Sequence, residues 1–200
     1  MICNDKHIAP VTGKYLLRFS IVLLLLFGIY SADAQIVNAQ SSASKEYRIK
    51  AVFLFNFTQF VEWPANAFSG PSAPFVIGIL GDDPFGAYLD EAVANEKVNG
   101  HPLVVQRFRD IKDAKNCQIL FLNSPDPEKL KENLSVVNAH VLTVSDADNF
   151  ARMGGMIRFV KESNRIRLQI NPEAARSSEL LISSKLLRVS DIYDPKNPPR

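Results

Sequence analysis

The sequence predicts an α/β fold: a parallel-stranded sheet with crossover helices (Rossmann-like) and an antiparallel hairpin at one edge. Three observations predict it. Short apolar runs, PFVIGILG (74–81), PLVVQRF (102–108), CQILFL (117–122) and HVLTVS (140–145), alternate with helical stretches, the pattern of parallel strands joined by crossovers. Asp83-Pro84, Asp126-Pro127 and Asn171-Pro172 stand where helices should open, with a capping side chain followed by a proline whose missing N–H is harmless in the first turn. Near the end, GGMIRFV and RIRLQIN flank Lys161–Asn164, a hairpin signal.

The first residues read as a leader rather than as part of the fold. Lys6, Lys14 and Arg18 precede the apolar run Ile21–Tyr30, and Ala32-Asp33-Ala34 offers small residues at a peptidase spacing, the three-part grammar of a secretory signal. The run is short for a bilayer span of about 20 residues. Cleavage near Ala34 and export are therefore expected in preference to a retained anchor. Cys3 precedes the apolar run and so is not placed as a lipoprotein cysteine. The expected organisation is a signal peptide (1–34), a flexible leader (35–44), one α/β domain (45–193) and a frayed tail (194–200). Cleavage leaves 166 of the 200 residues, with 20 basic against 19 acidic, enough chain for one domain with a real core. That balance gives no sign of nucleic-acid binding, and no later run suggests a membrane span.

In order, a helix runs from Ser44 or Lys45 to Trp63, where Pro64 stops it because the residue before proline is pushed from helical angles. Ser69–Pro74 is loop, and Pro74–Gly81 a buried strand. The three capped helices run to about Ala94, Val137 and Ser177. In the second hairpin arm Ile166, Leu168 and Ile170 alternate with Arg165, Arg167 and Gln169, so one face is wet. Leu180–Ile192 ends in an apolar helix.

Motifs for chemistry are scarce. His101 and His140 read as strand-end residues, since HExxH, CxxC and GxSxG are all absent and metal or triad chemistry needs convergent partners. GILGDDPFG fails both glycine-rich phosphate patterns and reads as a tight turn and cap. Asp82/Asp83 and Asp146/Asp148 read as helix caps, Ser145 and Asp148 having capping spacing. Arg158, Arg165 and Arg167 could share one hairpin face, where long basic side chains discourage strand-to-strand aggregation; receiving an anion or acidic partner is the less favoured reading. Cys117, the one cysteine past the leader, reads as a small buried hydrophobe. No catalytic residue, cofactor or metal is assigned.

The most unusual stretch is KAVFLFNFTQFVEWP (50–64). At helical steps of about 100°, Ile49, Val52, Phe53, Phe57, Phe60 and Trp63 fall in one stripe expected to face the core. Asn56 lies inside that stripe, where it needs a hydrogen-bond partner. Arg48, Thr58, Gln59 and Glu62 fall opposite. Phe55 falls among them, and Phe55, Gln59 and Glu62 are the best candidates for contact with another protein.

This motif, followed by FVIGILGDDPFG, VNGHPLVVQRF, CQILFLNS, VLTVSDADNFARMGGMIRFV and RIRLQINPEAARSSELLISSKLLRVS, resembles the YfiR family from about Tyr47 to Ser190. Residue by residue, the resemblance covers Asn56, Phe57, Phe60, Glu62, Trp63, Pro64, Gly78, Gly81, Gly154, Gly155, Asn171, Arg176 and Leu187. It implies an exported, non-enzymatic regulator in cyclic di-GMP signalling and biofilm control. Its partner would be the periplasmic sensory region of a membrane-bound diguanylate cyclase or sensor kinase, whose signalling it represses; self-association as a homodimer stays open. One departure matters. A named member of the family carries paired cysteines linked to redox control, and an internal disulfide of that kind cannot form here, because only Cys117 remains past the leader. The alternative is a periplasmic small-molecule binder with its pocket beyond the carboxyl ends of the strands, near Gly81-Asp82, Asn123-Ser124 and Ser145-Asp146.

Overall fold

Alternating apolar side chains sort the strands of this computed structural model onto two buried faces. It describes residues 44–163 and 165–196; the leader and the last residues of the tail lie outside them. The elements are helix α1 (44–60), strand β1 (Val61–Glu62), β2 (Phe75–Gly81), α2 (Ala87–Val93), β3 (Lys97–Val98), β4 (His101–Phe108), β5 (Ile119–Asn123), α3 (Pro127–Val136), β6 (Leu142–Ser145), β7 (Ile157–Glu162), β8 (Arg165–Ile170), α4 (Pro172–Ser177), β9 (Leu181–Ile182), α5 (Ser184–Arg188) and β10 (Asp191–Ile192).

The main sheet has the order β10-β8-β7-β6-β5-β2-β4-β3. From β4 to β7 every neighbouring pair is parallel, while β7–β8 and β3–β4 are antiparallel. The fold is thus mixed α/β with a mostly parallel centre. The hairpin is not the edge that was expected, because β10 pairs parallel to β8 outside it.

The central strands bury both faces, which is why they read as unbroken apolar runs. Phe75, Ile77, Ile79, Ile119 and Phe121 pack toward one side, with Ala51, Leu54 and Phe57 of α1 and Leu89 and Val93 of α2. Val76, Leu80, Leu120 and Leu122 pack toward the other, with Leu130 of α3 and Phe150.

The Asp126 and Asn171 caps work as their motifs predict, accepting the N–H groups of Glu128 and Ala174. Asp83 does not. Its carboxylate accepts the N–H of Phe85 and of Gly86 in a turn, and α2 opens only at Ala87. The other Asp83 oxygen takes Arg107 Nε at 2.7 Å, an ion pair that holds the turn against β4. A further turn escaped the sequence reading. Asn99 (φ 52) and Gly100 (φ 89) join β3 to β4, the two-residue hairpin signal that Asn-Gly supplies.

α1 ends at Phe60, short of the expected Trp63. Val61 and Glu62 pair instead with Ile182 and Leu181 of β9, and the Ser183 N–H donates to the Phe60 carbonyl at 2.8 Å. The extended angles that Pro64 imposes thus propagate back into a short strand, where β-branched Val61 is at home.

Gly155 shows how tightly the second core layer closes. A Cβ there would overlap the ring of Phe150, which is fully buried. Gly155→Ala should therefore lose about 1–3 kcal/mol of stability by overpacking. Urea unfolding checks this, and an unchanged midpoint would contradict the packing described.

Candidate functional site

The aromatic helix is fixed to the sheet at both ends. At its start Lys50 is 2% exposed, and its Nζ lies 2.6 Å from Glu46 Oε1 and 2.7 Å from Asp146 Oδ2. The Tyr47 hydroxyl donates to the same Asp146 oxygen at 2.9 Å. Lys161 of β7 reaches the other Glu46 oxygen at 2.7 Å. The Lys50 ammonium also sits 4.3 Å from the Tyr47 ring centroid, and that ring meets Phe85 edge-on. A lysine can be this deeply buried only because two carboxylates compensate it. Burial alone would raise the Glu46 pKa, but the hydrogen bonds from Lys161 and Lys50 outweigh it and hold the carboxyl below its ordinary range. Burial, and then the charge of Asp146, push the Tyr47 phenol well above its usual value.

Past its end, Trp63 Nε1 donates to the Gln118 carbonyl at 3.1 Å, and the indole packs edge-on against Phe75. Buried Gln118 ties this corner together. Its Oε1 accepts the Val76 N–H and its Nε2 donates to the Ala67 carbonyl, each at 2.7 Å.

Between these anchors the helix faces differ from the expected stripe. Lys50, Ala51, Leu54, Phe57, Thr58 and Val61 are buried. Ile49 and Val52, assigned to the core from their hydrophobicity, are instead 42% and 52% exposed. The polar members of the buried face are satisfied, Lys50 by its ion pairs and Thr58 by donating to the Phe55 carbonyl at 2.7 Å. Counting apolar side chains therefore misplaced the face by about one residue step.

The outer face carries Ile49, Val52, half-buried Asn56 and exposed Gln59, which share one side of a helix. Phe55 is not a free surface ring: it is half-buried on the flank and packs against the core. Gln59 Nε2 donates to Thr58 Oγ1 at 3.4 Å, and exposed Glu62 lies beyond the helix, opposite Leu181 in β1–β9. Phe55 and Gln59 thus lie on α1, the first against the core and the second exposed, while Glu62 lies outside the helix in β1.

The other motif residues are spread through the framework. Phe57 is fully buried, while Phe60 is half-buried and leans on the same core. Pro64 caps the short 3-10 turn Ala65–Ala67. Gly81 has φ +95, and a Cβ there would overlap the Asn123 carbonyl oxygen. Gly154, with φ +100, closes the turn before Gly155. Buried Asn171 caps α4 and donates to the Ala151 carbonyl at 3.2 Å. Arg176 is exposed on α4. His101 bonds the Ala73 carbonyl and stacks on Phe68, and His140 meets Glu179. Cys117 is buried, its thiol donating to the Ala114 carbonyl, with a pKa that burial pushes up to about 12. Asp146 and Asp148, expected as caps, serve instead as ion-pair partners of Lys50 and Arg158. Ser145 Oγ accepts the Ala147 N–H at that turn, which frees the carboxylates for the cations.

A model of the YfiR/HmsC-like family matches residues 47–191. The chain belongs to that family. No curated protein matches it. Among the described residues no helix is long and apolar enough to cross a membrane.

The sequence reading missed the Glu46–Lys50–Asp146 cluster, although the Glu-to-Lys spacing of four on one helix was a legible signal. Its consequence is a pH dependence. Because the Glu46 pKa is depressed in the folded protein, its contribution is present above the unfolded value and lost as pH falls through the folded one. Glu46→Gln should therefore destabilise the protein at pH 7, and the gap from wild type should close on acidification below about pH 4. Denaturation at the two pH values measures it; a gap independent of pH would contradict the ion-pair role.

Proposed function

We propose that this YfiR/HmsC-like protein is a non-enzymatic periplasmic regulator. It binds the periplasmic sensory region of a membrane diguanylate cyclase, or of a sensor kinase, and represses its signalling. Residues 1–34 act as a signal peptide cleaved near Ala34, and a short leader precedes the domain that begins near Lys45. The observation that carries this reading is the outer face of α1. Ile49 and Val52 stand 42% and 52% exposed beside Gln59, on a helix held rigid at both ends. Apolar side chains displayed together on a fixed element suit docking better than catalysis.

Control by binding requires only a difference in affinity between the partner's active and inactive states, a tenfold ratio being about 1.4 kcal/mol. Phe55, Gln59 and Glu62 contribute from the flank and the extension of the face, with Val52 at its centre. The same apolar side could pair two copies, in which case self-association and partner binding would compete.

A second reading has one specific observation in its favour. A cleft of about 520 Å³ opens beyond the carboxyl ends of β5 and β6, lined by Asn123, Ser124, Asp146, Asp148 and Asn149 among others. That is where an open α/β sheet places ligands. Native mass spectrometry of protein taken from its own periplasm distinguishes the two, since a retained small molecule would favour this cleft.

Val52 is exposed, so Val52→Asp should leave the fold intact while weakening binding to the periplasmic region of the partner cyclase or kinase by at least about tenfold. Phe55→Ala should weaken it less. Calorimetric titration checks both, and unchanged affinity for Val52→Asp would remove α1 from the interface.

A further inference from the structure

The strands β6 and β7 are unequal in reach. Their parallel register pairs Val144 with Ile157 and Ser145 with Arg158 and then stops, because the chain turns away at Asp146 while β7 continues to Glu162. On its other side β7 stays paired with β8 along its whole length. Among the described residues no strand covers the β6 side of β7 past Arg158, and because Phe159 is itself buried the open length is Val160–Glu162. An open length of strand presents backbone donors and acceptors, a template for an added strand.

A cleft of about 240 Å³ lies along this edge, with Glu46, Lys50, Asp146, Asp148, Arg158 and Lys161 on its walls. The cations there differ in how well they are satisfied. Lys50 has two carboxylates, and Lys161 has Glu46. Arg158 is the exception. Among the described residues its Nε is buried with no hydrogen-bond partner, and a terminal nitrogen pairs with Asp148, whose side chain is 89% exposed. A surface ion pair of that kind contributes little, so Asp148 is readily displaced, while a buried guanidinium N–H without an acceptor is costly. A carboxylate presenting two oxygens would satisfy both nitrogens in the fork geometry arginine favours.

We propose that the open edge of β7 is a docking site for an extended segment of a partner protein whose acidic side chain engages Arg158. This rests on the reading of the protein as a regulator that works by contact, and it adds a surface separate from the outer face of α1. The partner's backbone extends the sheet beside Val160–Glu162, and its carboxylate replaces Asp148. Two other occupants fit less well. The residues just before Ser44, which lead into α1 near Glu46, contain no Asp or Glu from Gln35 to Ala43 and bring no carboxylate. The cleft is also smaller than the roughly 300–1,000 Å³ usual for small-molecule pockets, whereas one or two side chains of an extended peptide fit it.

The test uses the isotope-labelled exported protein, titrated by NMR with a capped peptide of alternating threonine and valine around one central glutamate, and with its glutamine counterpart. The glutamate peptide should shift the amides of Val160–Glu162 and bind at least about tenfold more tightly than the glutamine one. Arg158→Gln should abolish that difference. Asp148→Asn, a change of charge at an exposed side chain, should strengthen the glutamate peptide several-fold by freeing Arg158, with folding checked by the dispersion of the same amide spectrum. Val52→Asp should leave both peptides unaffected, so failure of the α1 interface and failure of this site are separable. Equal affinity of the two peptides, no shift up to about 5 mM, or the same shifts with acetate alone would overturn the proposal. So would peptide binding that appears only after residues 35–43 are removed, since that makes the leader the occupant.

Discussion

The buried ammonium of Lys50 is the constraint on which the presentation of α1 depends. Leaving it unpaired in the interior would cost several kcal/mol, more than the roughly 1.5–3 kcal/mol gained by fully burying one aliphatic side chain. The helix therefore settles where Lys50 meets Glu46 and Asp146, even though Ile49 and Val52 are left facing outward. The same contacts join α1 to the end of β6, and Lys161 carries the connection on to β7 through Glu46. We hypothesise that this ionic cluster sets the rotation of the helix more than it adds to net stability, the role for which buried ion pairs are best attested.

Much of the fold was legible because its local signals were backed by burial. The central strands announced themselves as apolar runs because both of their faces are covered. Asp126 and Asn171 cap their helices through a side-chain oxygen, the Asn171 nitrogen meanwhile donating to the Ala151 carbonyl. Asp83 carries the same motif but lies within reach of Arg107, and the long-range pair accompanies a turn that delays α2. The short strands β1, β9 and β10 were illegible for a related reason. Each has only two residues, too few for any period, and exists only because distant segments meet.

The candidate site was legible in part. The aromatic helix drew attention, and Gln59 on it and Glu62 just past it are exposed, but Phe55 leans into the core while Val52 takes the open position. Hydrophobic periodicity assumes that every charged residue prefers water. Lys50 breaks that assumption, because its partner Asp146 lies 96 residues away in sequence. The open edge of β7 was equally hidden, since it follows from where β6 stops rather than from anything in β7 itself.

The proposed contact through α1 depends on how firmly that helix is held, so the coupling between Lys50 and Asp146 is the quantity to measure. A double-mutant cycle with Lys50→Met and Asp146→Asn, read by chemical denaturation at neutral pH, gives it directly. The account predicts strongly non-additive losses, with a coupling of about 2–3 kcal/mol. Losses that simply add, to within about 0.3 kcal/mol, would mean that Lys50 does not set the position of the helix.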